Sequence, residues 1–262
     1  MSGPGLQAVR VVGGLVPPGL FGRLQAGEVR DAESLASRSY HLPGRETVRD
    51  AANRSWTYLR AAWLDWREHT AAQPPGSPGT GPARERWLLV LLRELGYGQL
   101  PALRGGLEVD GGEYPLSHAW QHVPVHLLGP GVELDRRNPG VAGAARAPQA
   151  MVQELLNRSP AHLWALLSNG LRLRLLRDST ALAGSAYVEF DLESIFDGEL
   201  FAEFLLLWQL CHVSRLEKRG ESDAPPADCW LEAWRDEAVD SGTRALNQLR
   251  DGVQAALTAL GS

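Results

Sequence analysis

Between residues 100 and 190 the apolar side chains recur at every second position, and that period decides what the middle of this chain can become. The runs LEV, YPLS, VPVHLL, LWALLS, LRLRLL and YVEF are broken by glycine, proline and asparagine, the pattern of short strands joined by turns. The stretch from residue 163 to 190 is the most constrained. Two apolar runs flank Asn169-Gly170 there, and such a pair favours a type I′ hairpin turn because both central residues need positive φ. Leu171, Leu173 and Leu175 then alternate with Arg172 and Arg174, so the second strand has one apolar and one cationic face.

On both sides of this region the period lengthens to three and four. Pro17-Pro18 opens a short helix carrying Leu20, Phe21 and Leu24, which stops near Gly27. Residues 46–69 place Trp56, Leu59, Trp63 and Trp66 on one stripe, the signature of a helix facing a core. The loop QPPGSPGTGP, residues 73–82, excludes a continuous helix. A further helix over residues 83–95 groups Trp87, Leu88, Leu91, Leu92 and Leu95. One helix, residues 148–158, interrupts the strands and buries Met151, Leu155 and Leu156. Residues 198–216 read as a buried helix, too short and too interrupted by Glu203 and Gln209 to span a bilayer. The last helix, residues 230–260, has an apolar stripe of Leu231, Trp234, Ala238, Ala245, Leu249, Val253, Ala256 and Leu260 that needs a cover. The expected fold is mixed α/β (α+β), a small mixed sheet between helices. Three regions follow: a helical 1–96, a sheet domain 97–190, and a helical 191–262 ending in a connector.

With 262 residues and 44% hydrophobic content, the chain can bury a substantial core. A net charge of −5 argues against coating nucleic acid, which requires neutralising many phosphates. Locally, residues 130–180 hold seven arginines against four acids. Cys211 and Cys229 lack disulfide or zinc spacing, and the N-terminus lacks the apolar stretch of a signal peptide, so a cytoplasmic protein with no membrane partner is expected.

Chemistry is harder to find. A PD-(D/E)XK nuclease needs two carboxylates on a divalent metal and a lysine to orient water, yet Lys218 is the only lysine and follows the sheet region. Glu133 and Asp135, the nearest acids, follow the Gly129-Pro130-Gly131 turn. Adenine methylation needs an (Asn/Asp)-Pro-Pro-(Tyr/Phe) loop, and none of the Pro-Pro pairs at 17, 74 and 225 fits. His118, His122 and His126 recur every four residues, but Pro115 and Pro124 argue against a helix that would align them as metal ligands. No GxSxG elbow is present. No catalytic or metal residue is therefore assigned. The arginine face of the hairpin has two readings, a solvated face or a phosphate contact in which Arg177 and Arg158 join Arg172 and Arg174.

The run LLNRSPAHLWALLSNGLRLRLLRDSTALAGSAYVEFDLESIFDGELFAEFLLLWQLCHVSR resembles the N-terminal region of large type IIG-like restriction-modification methylases, including the adenine methyltransferases of DISARM-type and BREX-type phage defence. The resemblance extends to RWLLVLLRELGYGQL, YPLSH and VPVHLLG upstream and to CWLEAWRDEAVDSGTRALNQLRDGVQAALTALGS downstream. It implies a degenerate PD-(D/E)XK nuclease core, because VPVHLLGPG stands where an active member carries the acid-x-Lys strand. It also implies a bacterial adenine-N6 DNA methyltransferase whose S-adenosylmethionine and methyltransferase domain lie outside this chain, in cis or as a split partner. The implied role is DNA recognition or scaffolding without catalysis, with DNA and other defence subunits as partners. Arg158, Asn169, Arg172, Arg174 and Arg177 are the candidate DNA-binding residues. The alternatives are a metal-dependent endonuclease with an unorthodox site, or a free-standing interaction module.

Overall fold

A computed structural model describes residues 5–17, 19–179, 184–221 and 223–260. Pro18, residues 180–183 of the hairpin stretch and the terminal Gly261-Ser262 lie outside the described residues, as do the side chains of Ala245, Ala256 and Leu260.

A six-stranded mixed sheet forms the centre. Its strands are β1 (Val9–Val12), β4 (His118–Trp120), β5 (Val123–Leu127), β6 (Trp164–Ser168), β7 (Arg172–Arg177) and β8 (Tyr187–Asp191), in the order β1-β8-β7-β6-β5-β4. β5 and β6 run parallel, and every other pair is antiparallel. A parallel pair needs a long crossover, which α5 (Pro148–Arg158) supplies, with proline in its first turn. β1 is an addition to the sequence reading, which took the N-terminal third as helical. Four residues at a chain end carry too little pattern to announce a strand, and β1 is fixed by pairing Val9–Val12 against β8. The LEV and GEY segments, β2 (Leu107–Val109) and β3 (Gly112–Tyr114), form a separate ribbon instead of joining the sheet. Asp110-Gly111 turns it, with φ of 49° and 69°, the positive values of a type I′ turn.

The 169–170 hairpin forms with a different turn. Register pairs Ser168 with Leu173, leaving four residues in the connection, and only Gly170, with φ 88°, takes a positive φ there. Asn169 acts through its side chain, whose Oδ1 accepts the N–H groups of Leu171 and Arg172 at 3.1 and 2.9 Å. The tip is also buried. Trp87 Nε1 donates to the Gly170 carbonyl at 2.9 Å, and a Cβ on Gly170 would lie 2.9 Å from Trp66.

Helices cover both faces. On one lie α1 (Gly19–Ala26), α2 (Val48–Ala71), α6 (Leu192–Asp197), α7 (Phe201–Cys211) and a composite helix over residues 80–97, which is α-helical at α3 (Thr80–Ala83) and α4 (Leu89–Leu92) and π-helical at Arg84–Leu88 and Arg93–Tyr97. Thr47 caps α2 through a reciprocal bond with Asp50. Trp56, Trp63, Trp66, Trp87, Phe196 and Phe204 pack there ring on ring, with centroids 5.0 to 6.1 Å apart. This large buried cluster draws residues from Ala8 to Ala238, across all three regions anticipated from sequence. A smaller cluster under α5 covers the other face with Met151, Leu155, Ala165, Leu167 and Leu176.

Two helices close the chain. α8 (Val213–Leu216) presents Arg215, fully buried and with no carboxylate ion pair among the described residues, to the Ser34 carbonyl at 2.5 Å and to the face of Tyr40 at 3.7 Å. α9 (Trp230–Leu260) buries Leu231, Trp234 and Ala238 of the expected stripe and exposes Leu249 and Val253. No helix among the described residues is long and apolar enough to cross a membrane.

Candidate functional site

Strand register sets up the most polar part of the sheet. Arg10 of β1 lies opposite Glu189 of β8, and Glu189 lies opposite Arg174 of β7, so three charged residues form one row. Arg172 and Asp191 face each other in the next row. Alternation puts this row on the α5 face, opposite Leu173 and Leu175, which join the tryptophan-rich core. The apolar/cationic alternation read from sequence is present, but at Arg174 the cationic face is not solvated.

Arg174 is only 3% exposed. Its Nε donates to Glu189 Oε2 at 2.6 Å, and its Nη1 and Nη2 hold the two oxygens of Asp135 at 2.6 and 2.7 Å. Nη1 also reaches Gln149 Oε1 of α5 at 3.0 Å, and the guanidinium carbon sits 4.5 Å from the Tyr187 ring centroid. Four of the five donors of a guanidinium are thereby used. Burial opposes the charge, yet the bonds to Asp135 and the charge of Glu189 hold Arg174 protonated more firmly than an ordinary arginine. In return Arg174 keeps the Asp135 carboxyl below the usual range. Arg10 closes the row, with Nη2 at 3.1 Å from Glu189 Oε1 and 3.3 Å from the Tyr187 hydroxyl.

A cleft of about 480 Å³ opens over this network. Arg10, Arg172 and Arg174 line it against four carboxylates, Glu133, Asp135, Glu189 and Asp191. Each carboxylate of the cleft has an arginine partner, Arg136 for Glu133, Arg172 for Asp191 and Arg174 for Asp135 and Glu189, so the cleft offers a phosphate backbone no surplus of positive charge. Nor do its carboxylates form a ligand set for a cation, since Arg174 occupies both oxygens of Asp135 and one of Glu189. Among the described residues no group of three or more His, Cys, Asp or Glu is placed to hold a metal ion.

The candidate DNA-binding residues do not gather on one free surface. Arg172 pairs with Asp191. Arg177 makes a two-point ion pair with Glu232 of α9 at 2.6 and 2.9 Å, tying the sheet to the terminal helix. Arg158, half exposed, lies 3.6 Å from Glu154 one turn earlier on α5. Asn169 is buried and donates to the Val132 carbonyl at 3.0 Å besides ordering its own turn. The histidines also separate. His122 bonds the Leu216 carbonyl at 3.0 Å, whereas His118 and His126 line a different cleft.

Sequence reasoning named Asp135 and Arg174 but did not connect them, and it passed over Arg10, Gln149 and Glu189. One signal was present. Glu189 and Asp191 alternate with Phe190 in YVEFD with the same period as Arg172 and Arg174, which is what matched cross-strand ion pairs require. Asp135 and Gln149 come from the 128–147 connection and α5, and no local pattern assigns them to that row. No protein-family model, curated protein or solved structure matches the chain.

Proposed function

We propose that this chain is the N-terminal region of an adenine-N6 DNA methyltransferase of a restriction-modification or phage-defence system, acting as a scaffold without catalysis of its own. The reading of family rests on the resemblance of the hairpin stretch and its flanks. Scaffolding is favoured over DNA recognition by one observation: the buried Arg174 neutralises Asp135 and Glu189 internally, inside a cleft with more acids than arginines. An internal guanidinium thus serves the sheet as a divalent cation would serve a nuclease. The sheet resembles a degenerate PD-(D/E)XK core in that sense, and the single lysine follows α8 instead of lying on a strand. S-adenosylmethionine belongs on this reading to a methyltransferase domain in cis or in a split partner, with DNA and other defence subunits as the partners of the assembly in the cytoplasm.

Two experiments test it. Coding sequence in frame beyond residue 262, or a neighbouring gene, is expected to carry an (Asn/Asp)-Pro-Pro-(Tyr/Phe) motif, and its absence from both contradicts the family reading. Duplex affinity measured against salt for the wild type and for the double variant Arg158→Ala/Arg172→Ala separates scaffold from reader. Equal slopes support scaffolding, and a slope reduced by about two supports phosphate contact by these residues.

A further inference from the structure

A second cleft, of about 510 Å³, lies at the other end of the sheet, between the composite helix and β4–β5. Arg84 enters it from the helix. Its Nε donates to the Leu127 carbonyl at 2.7 Å, while its two terminal nitrogens have no hydrogen-bond or ion-pair partner among the described residues. These nitrogens are not sealed from solvent and are open to a ligand in the cleft. Burial alone accounts for the lowering of its pKa, with no carboxylate offsetting it.

His126 lines the same cleft and is 1% exposed. Its Nε2 lies 2.8 Å from the Gly143 carbonyl. A carbonyl only accepts, so Nε2 carries the proton and Nδ1 is left as a bare lone pair. That Nδ1 is out of solvent and has no hydrogen-bond partner. Arg84 and His118 are the charged and titratable groups that bear on it, and Glu85 stands exposed at the rim. Burial holds His126 neutral. An adjoining cleft shares Gly81, Arg84 and Ala142 and contains Thr80, whose hydroxyl is likewise buried and unpartnered.

The pairing of a free guanidinium with a neutral acceptor selects a particular ligand. An anionic oxygen answers Arg84, and an O–H donor answers His126 Nδ1. Sulfate has no proton near neutrality, and a phosphodiester has none either. Phosphate and its monoesters do, because the second ionisation falls at about pH 6 for a monoester and higher for inorganic phosphate. We propose that this cleft binds monoprotonated phosphate, free or as a phosphate monoester, between Arg84 and His126. The assignment is independent of whether the sheet domain contacts DNA.

Isothermal titration at pH 6 tests it with inorganic phosphate, sulfate, and one oligonucleotide carrying either a 5′-phosphate or a 5′-hydroxyl. Phosphate is expected to bind the wild type about tenfold or more tightly than sulfate, since only phosphate satisfies Nδ1. Arg84→Gln, checked for an unchanged melting temperature, is expected to weaken phosphate binding by about tenfold or more through loss of charge-assisted bonds. Preference for the 5′-phosphorylated oligonucleotide over inorganic phosphate identifies a nucleic-acid end as the source, and equal binding identifies free phosphate. Failure of all phosphate species to bind overturns the proposal. So does equal affinity for sulfate, a result that needs no variant to fold.

Discussion

Arg174 grips Asp135 through two parallel bonds of 2.6 and 2.7 Å while its Nε holds Glu189 at 2.6 Å, so one buried cation binds a loop acid to a strand acid across the α5 face of the sheet. The pair joins the 128–147 connection to β7 and β8. Removing the cation leaves Glu189 largely buried beside Tyr187 with only the half-exposed Arg10 for compensation.

Arg174→Met is therefore expected to destabilise the fold by about 3–5 kcal/mol, the usual cost of breaking a buried pair from one side. Urea denaturation checks it. The triple variant Arg174→Met/Asp135→Asn/Glu189→Gln should recover part of that loss, because no unpaired charge remains. Equal stability of Arg174→Met and wild type would show that the network carries no energy.

Glu203 of α7 accepts the backbone N–H groups of Gln7 and Ala8 at 3.0 and 2.6 Å, anchoring the entry to β1. The carboxylate is buried, and Glu203→Ala leaves two inward-facing donors without a partner at a cost of about 1–3 kcal/mol each. Hydrogen exchange at residues 7–12 should accelerate selectively in this variant. Uniform acceleration across the sheet, or none, contradicts the anchoring role.

Gly170→Ala should be costly despite its small size. The residue has φ 88°, and the added methyl meets Trp66 at 2.9 Å. Backbone strain of about 1–3 kcal/mol adds to the clash. A thermal midpoint equal to wild type would contradict the buried placement of the hairpin tip.

Burial lowers His118 and His126 to about 4 and His212 to about 3, from an ordinary 6.5. The unfolded chain thus takes up protons first as pH falls, so stability is complete above about pH 6.5 and declines toward pH 4. At pH 5 the loss amounts to about 2 kcal/mol for each group. Urea midpoints at pH 7.5 and pH 5 measure it: a lower midpoint at pH 5 is expected, and a flat profile contradicts neutral burial of these rings.

Much of this architecture was legible in local period. The tryptophan stripe of α2, the start of α5 at Pro148 and the strands β6 to β8 follow directly from residue spacing. What escaped depends on distant residues. β1 is too short to declare itself, and the burial of the 169–170 turn comes from Trp66 and Trp87, which lie against its tip. The arginines looked solvated or ligand-facing because their partners lie far along the chain: Asp135 is 39 residues from Arg174, and Glu232 is 55 from Arg177. Alternation gives the face a side chain occupies, and only the tertiary fold decides what covers that face.

On the proposed reading Arg174 stands in for a metal ion as the cation of this sheet, and the sheet is a scaffold without nuclease activity. Incubating the purified protein with supercoiled plasmid and magnesium or manganese tests it most directly. The plasmid should remain supercoiled, and nicking or linearisation that disappears in Asp135→Ala or Glu189→Ala would contradict the account.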